Sequence, residues 1–265
     1  MSRIEYTAAL LFLVSMAYTA RAESPSTFQN VKCEGIYPGH LQGICTNNKD
    51  SIYWSFTTVL VKTDRDGKVR KKVPVANHHG DLCYHDGKLH VAVNLGKFND
   101  PRGNADSWVY VYDADNLSEL ARHRTPEVFH GAGGIAYQDG RFLVVGGLPG
   151  EIKENYAYEY DEQFQFVKRH VIRNGHTSMG IQTAAHANGF WWFGCYGNPP
   201  TLLKTDRDFK MKGKFPLNVA LGIVGVGQER FLIAKGTCQK GKGCTAEVML
   251  AKPDPAKGLV PLPKP

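Results

Sequence analysis

Five of the ten histidines of this 265-residue chain fall in four short stretches of similar composition that lie far apart in sequence. They are PGHLQG (His40), NHHGDL (His78 and His79), FHGAGG (His130) and GHTSMGIQ (His176), and a fifth stretch, NVALGI, takes the corresponding place without a histidine. Brought together, neutral imidazoles beside the amides of Gln42 and Gln182 and the carboxylate of Asp81 suit two kinds of chemistry. They can ligate a divalent metal, with softness favouring zinc, copper, nickel, manganese or iron over magnesium. Alternatively, an imidazole titrating near working pH can act as general base or acid. On this reading His40, His78, His130 and His176 are candidate metal ligands. His79 or His130 is the candidate base, Tyr196 the candidate acid, and Gln42, Gln182, Arg102 and Asp81 are candidate substrate contacts. For any one of these histidines taken singly, a strand-capping bond to backbone is the plainer reading.

Convergence requires a fold that returns the chain repeatedly to one place, and the sequence contains such a period. Short apolar runs end in an aspartate at VLVKTDRDGK (Asp64), VYVYDADNLS (Asp113), YAYEYDEQFQ (Asp161), TLLKTDRDFK (Asp206) and VMLAKPDPAK (Asp254), with successive spacings of 49, 48, 45 and 48 residues. A sustained period of this length marks a repeat architecture. Each unit opens with a small or polar residue and a short strand (GICTN, DLCYH, GIAYQ, TAAHA, GIVGV), then a tight turn that is NKDS, DGK, DGR, NGF or GQER. Asp-Gly and Asn-Gly between apolar runs are strong hairpin signals, because a type I′ turn needs positive φ at both central positions. A second apolar strand, a variable loop, the third strand with its aspartate and a more charged fourth strand complete the unit.

Four antiparallel strands repeated five times resemble the β-propeller superfamily from about Thr27 to Leu262, and no helical period competes. The predicted fold is all-β, a five-bladed β-propeller in a single domain spanning 23–265. The proline-rich end GLVPLPKP is a poor fourth strand, whereas FQNVKCEGIYPGH reads as one. The last blade is therefore expected to be closed by the N-terminal strand. In such a ring the histidine stretches, which cross from one blade to the next, share a face with the loops between second and third strands.

Residues 1–22 read as a secretory signal peptide: a basic residue, the run AALLFLVSMAY and an Ala20-Arg21-Ala22 cleavage site, with mature chain from Glu23. The apolar run is about half the roughly 20 residues a membrane helix needs, so a secreted or periplasmic protein without a membrane span is expected. Loss of Arg3, Glu5 and Arg21 takes the formal charge from +7 to +6, which suits an anionic partner. Export permits disulfides, and Cys238–Cys244 in GTCQKGKGCTA is the expected pair. Cys45, Cys83 and Cys195 read as buried thiols.

No nucleophile elbow, Walker loop, dinucleotide fingerprint or nucleic-acid motif is present. The expected partner is a carbohydrate, anionic in the favoured case, bound by a monomer. As an enzyme the chain best fits a lyase of acidic polysaccharide, similar in style to His/Gln-lined propeller lyases, which have more blades. Elimination needs the uronate carboxylate neutralised, by a metal or by Arg102 with Gln42 and Gln182, plus a base and an acid. Glycoside hydrolysis requires two placed carboxylates, and the crossings offer only Asp81, with Asp106 and Glu151 in nearby loops. The alternative is a non-catalytic propeller that binds a glycan or protein partner.

Overall fold

The computed structural model describes residues 28–227 and 229–263, so the expected signal peptide lies outside the described residues. Within them the chain is all-β and forms five antiparallel sheets arranged as the five blades of a propeller. Blades one to four are consecutive four-stranded meanders whose innermost strands are Leu41–Thr46, His79–His85, Ala132–Gln138 and Ser178–Ala187. Blade five starts at a three-residue inner strand, Ile223–Gly225, followed by the long hairpin Phe231–Gln239 and Gly243–Asp254. Apolar side chains of neighbouring sheets interdigitate to form the core, with Trp54, Trp192, Tyr53, Tyr110 and Tyr160 among the largest fully buried groups. No helix among the described residues is long and apolar enough to cross a membrane.

The recurring aspartate is a turn device. In every unit its Oδ1 accepts two backbone N–H bonds from the residues that follow. For Asp64 the donors are Asp66 (3.0 Å) and Lys68 (2.9 Å), for Asp113 they are Asp115 and Asn116, and for Asp161, Gln163 and Gln165. Asp206 and Asp254 make the same pairs with Asp208 and Lys210, and with Ala256 and Lys257. All five turns then pass through a left-handed residue: Gly67 (φ 83°), Gly258 (φ 76°), Leu117 (φ 61°), Phe164 (φ 57°) and Phe209 (φ 61°). In the last three the side chain plugs the core between blades. The near-identical copies KTDRDG and KTDRDF differ at that position for a reason. A Cβ on Gly67 would stand 1.9 Å from the carbonyl oxygen of Lys32, because the N-terminal strand crosses there and Glu34 N–H donates to Gly67 O (2.9 Å).

That strand, Val31–Lys32, pairs with Val248 and Glu247 of blade five, extended by a bridge from Tyr37 to Cys244. Closure by the N-terminal strand is thus present, but the expectation for the C-terminal segment is corrected. Gly258–Pro261 pairs with Ala251–Asp254, and Leu262 N–H donates to Leu250 O at 2.7 Å. Proline is tolerated there because the segment lies on the outer edge, where one side of the strand needs no ladder donor. Two half-length strands therefore share the outer rim of blade five. The Cys238–Cys244 disulfide clamps the tip of its hairpin, while Cys45, Cys83 and Cys195, with Cys33, are buried thiols.

Gly67→Ala should destabilise the protein by roughly 2 kcal/mol or more, since it adds both a positive-φ penalty and a clash with backbone. Denaturant unfolding of the two proteins side by side checks this. An unchanged midpoint would mean that the closing strand does not lie against the first turn.

Candidate functional site

Each inner strand of blades one to four begins with a shift in register: between Leu41 and Gly43, His79 and Leu82, Ala132 and Gly134, and Ile181 and Thr183. A bulge leaves an extra residue outside the ladder and re-aims its side chain. The first bulged residue, Gln42, Gly80, Gly133 or Gln182, lines a cavity of about 410 Å³ at the mouth of the central channel. Its neighbour, Gly43, Asp81, Gly134 or Thr183, sits at the adjacent position nearer the axis. Space is short at that level: a Cβ on Gly43 would come within 2.4 Å of the Asp81 Cα.

The cavity has a polar and an apolar side. On the polar side the Gln42 amide donates to His40 Nε2 at 2.9 Å and to His78 Nε2 at 2.8 Å. An amide nitrogen can only donate, so both imidazoles present a bare Nε2 and carry their proton on Nδ1. Burial lowers the pKa of His40, and burial together with the neighbouring His40 lowers that of His78. Both rings are therefore neutral at neutral pH, each with a nitrogen lone pair able to accept a proton. Gln182 donates to Met179 O at 2.6 Å. Leu95, Phe98, Met179 and half-buried Tyr196 form the apolar side, and burial raises the Tyr196 phenol above its ordinary value so that it keeps its proton.

Of the candidates named from sequence, His40, His78, Gln42, Gln182 and Tyr196 line this one cavity. The others stand elsewhere. His79, the expected base, is fully buried between strands: Nδ1–H donates to Ala76 O (2.7 Å), and Nε2 accepts from the Tyr112 hydroxyl (2.8 Å). Desolvation holds its pKa down at about 4. His130 pins the blade-two loop by donating to Asp100 O at 3.1 Å, and exposed His176 donates to Ile152 O at 3.0 Å. These three are the backbone-capping histidines of the plainer reading.

The expected ring of metal ligands therefore does not assemble. No group of three or more His, Cys, Asp or Glu side chains among the described residues is placed to hold a metal, and the two imidazoles that do meet have their Nε2 atoms committed to Gln42. Arg102 is 80% exposed and leans on Asp100 (3.8 Å), away from the cavity. The loop carrying it continues the ladder through Leu95 N–H to Asp106 O and Lys97 N–H to Asn104 O, which turns its tip outward. The same fold-back sets Phe98 against Gly131 and Gly133, beside the cavity. Phe98 and Met179 were present in the crossing and loop stretches, but no chemical signal singled them out. The tryptophans Trp54, Trp191 and Trp192 are all core, and Trp191, 7% exposed, borders the cleft between blades three and four.

Asp81, expected to touch substrate, is 1% exposed. Its Oδ2 accepts from Ala184 N–H of blade four at 3.1 Å, and the amides of Leu82 and Ile44 also act on the carboxylate, so it ties blade two to blades one and four. Burial outweighs these donors and raises its pKa well above the carboxylate range.

No protein-family model and no curated protein sequence matches the chain. Solved structures do. The glutaminyl cyclase of Myxococcus xanthus superposes with a TM-score of 0.57 at 15% identity, covering 86% of this chain and 99% of that one. The xylan β-1,4-xylosidase of Bacillus halodurans C-125 gives 0.58 at 16% identity, covering 86% of this chain and 56% of the xylosidase. At such identities the likeness establishes the propeller fold.

A raised folded-state pKa means that Asp81 binds its proton more tightly folded than unfolded. Its contribution is complete below the unfolded value of 3.8 and is lost as pH rises through the folded value. Asp81→Asn should therefore gain stability relative to the parent as pH climbs from 4 towards neutrality, read from urea unfolding at several pH values. A difference independent of pH would contradict a buried, proton-holding Asp81.

Proposed function

We propose that the protein is an exported carbohydrate-active propeller whose axial cavity binds a saccharide and works on it by metal-free acid–base chemistry, of the elimination type. The observation that carries this reading is the Gln42 amide held between two neutral imidazoles, His40 and His78, in a cavity that also holds Tyr196 and no carboxylate. Without a carboxylate pair in the cavity, hydrolysis by the usual two-carboxylate route has no support. The xylosidase neighbour lends weight to a saccharide as ligand, although its chemistry does not transfer.

On a uronate residue the steps balance as follows. A bare imidazole nitrogen of His78 or His40 takes the C5 proton, the C5 electron pair closes the C4–C5 double bond, the C4–O4 bond breaks, and the Tyr196 O–H supplies a proton to O4. The amides of Gln42 and Gln182 face the substrate carboxylate, in place of the cation first expected from Arg102. Taking up substrate requires Gln42 to release one imidazole nitrogen as it turns its amide to that carboxylate. The second reading, binding without turnover, is favoured by that same commitment of both Nε2 atoms to Gln42.

Incubation with polyuronates of different linkage, followed by the ultraviolet absorbance of the unsaturated product, tests the activity. His78→Ala and Tyr196→Phe should each lower kcat by about 100-fold or more, whereas Arg102→Ala should leave the rate as it is. Because burial lowers the pKa of both imidazoles, the acid limb of kcat/KM should have its midpoint below the ordinary value of 6.5. No unsaturated product from any polyuronate, with oligouronate binding retained in calorimetry, would select the binding reading instead. Absence of both would overturn the carbohydrate assignment.

A further inference from the structure

The face opposite the axial cavity carries the turns between first and second strands and those with the marker aspartates. There the junctions between blades are not alike. At the first junction Tyr84 stacks on Tyr53. At the second, the equivalent Tyr137 lies 3.6 Å from His85 and donates its hydroxyl to Glu162 at 2.6 Å, which fills the gap. At the fourth, the equivalent residue is Gly225, so close to Ala187 that an added Cβ would meet it at 2.7 Å.

The third junction lacks this filling by a tyrosine or a close backbone contact. Aligned on DLCYHDG, GIAYQDG and TAAHANG, the tyrosine position becomes His186 and the position of its stacking partner becomes Gln138. A cleft of about 320 Å³ results, bordered by Trp191. His186 Nε2 is buried there with no hydrogen-bond partner among the protein groups, a condition that native folds rarely leave unanswered.

The lining of the cleft balances the two signs of charge, Arg141, Lys168 and Arg207 against Asp139, Glu159 and Asp208, with Glu159 also meeting His170 Nε2 at 2.6 Å. Arg141 Nε meets Glu159 Oε1 at 3.3 Å on blade three, and Arg207 of blade four reaches Asp139 of blade three at 3.7 Å. An anion seated there would meet a carboxylate beside each guanidinium, and a cation the reverse. A hydroxyl satisfies both, since it accepts from the guanidinium and donates to the carboxylate. We propose that the cleft between blades three and four is a second binding site, separate from the axial cavity, for a neutral monosaccharide-sized polyol. Its hydroxyls engage the Arg141–Glu159 and Arg207–Asp139 pairs, and one of them supplies the missing partner of His186 Nε2.

The test is saturation-transfer NMR on the mature protein with D-galactose, D-mannose, D-xylose and N-acetyl-D-glucosamine, each alone, followed by titration of any sugar that responds. His186→Tyr restores the residue that fills the neighbouring junction, and Arg207→Ala removes a rim donor without touching the core. Binding of at least one sugar is expected, weakened about tenfold or more by each variant. The proposal is overturned if no sugar receives saturation, or if both variants bind as the parent does. It is equally overturned if His78→Ala abolishes binding while Arg207→Ala retains it, because the sugar would then occupy the axial cavity.

Discussion

The narrowness of the axis governs this molecule. Five inner strands converge so tightly that the level below the cavity mouth has room for a single long side chain. Blades one and three meet it with glycines, Gly43 and Gly134, and Gly134 has the backbone of Gln182 and Thr183 against it. Thr183 of blade four turns its hydroxyl to Val219 O at 2.8 Å, and Asp81 alone occupies the remaining space. A carboxylate there gathers backbone amides from blades that are not neighbours, at the cost of being desolvated. Whatever binds at the mouth sits in a cup whose floor is this crowded level.

The bulges above that floor follow from the same crowding. In blades one to four the inner strand slips by a residue where the chains crowd together and turns one residue towards the mouth, whereas the short inner strand of blade five stays in register. Where that residue is glutamine, in blades one and four, the cup gains an amide; where it is glycine, in blades two and three, it gains depth. Gln42 then organises its two neighbours, fixing the tautomers of His40 and His78 through two donated hydrogen bonds. Site and scaffold are thus set by one constraint, expressed twice along the axis.

Much of the architecture was legible because it repeats. The five aspartates, their near-constant spacing and the Asp-Gly and Asn-Gly turns sufficed for the blade count, and the crossing stretches pointed to the face where side chains converge. The histidines could not be sorted by type alone. His78 and His79 are adjacent, and alternation along a strand sends one ring to the cavity and the other into the core against Tyr112. Only the bulge decides which, and a bulge has no compositional mark at this place. Arg102 was misplaced for a different reason: a long loop reads as open chain, whereas this one folds back as a continued ladder that carries its cation outward. The C-terminal strand was underrated because proline is penalised inside a sheet but not along an outer edge.

The central claim, that the cup above Asp81 is where a saccharide is bound and acted upon, is tested most directly by a crystal structure of the Tyr196→Phe variant with a uronate trisaccharide. The account predicts one sugar ring within the cup, its carboxylate against the Gln42 and Gln182 amides and its C5 facing the imidazole of His78 or His40. A trisaccharide bound elsewhere on the propeller, with the cup vacant, would contradict it.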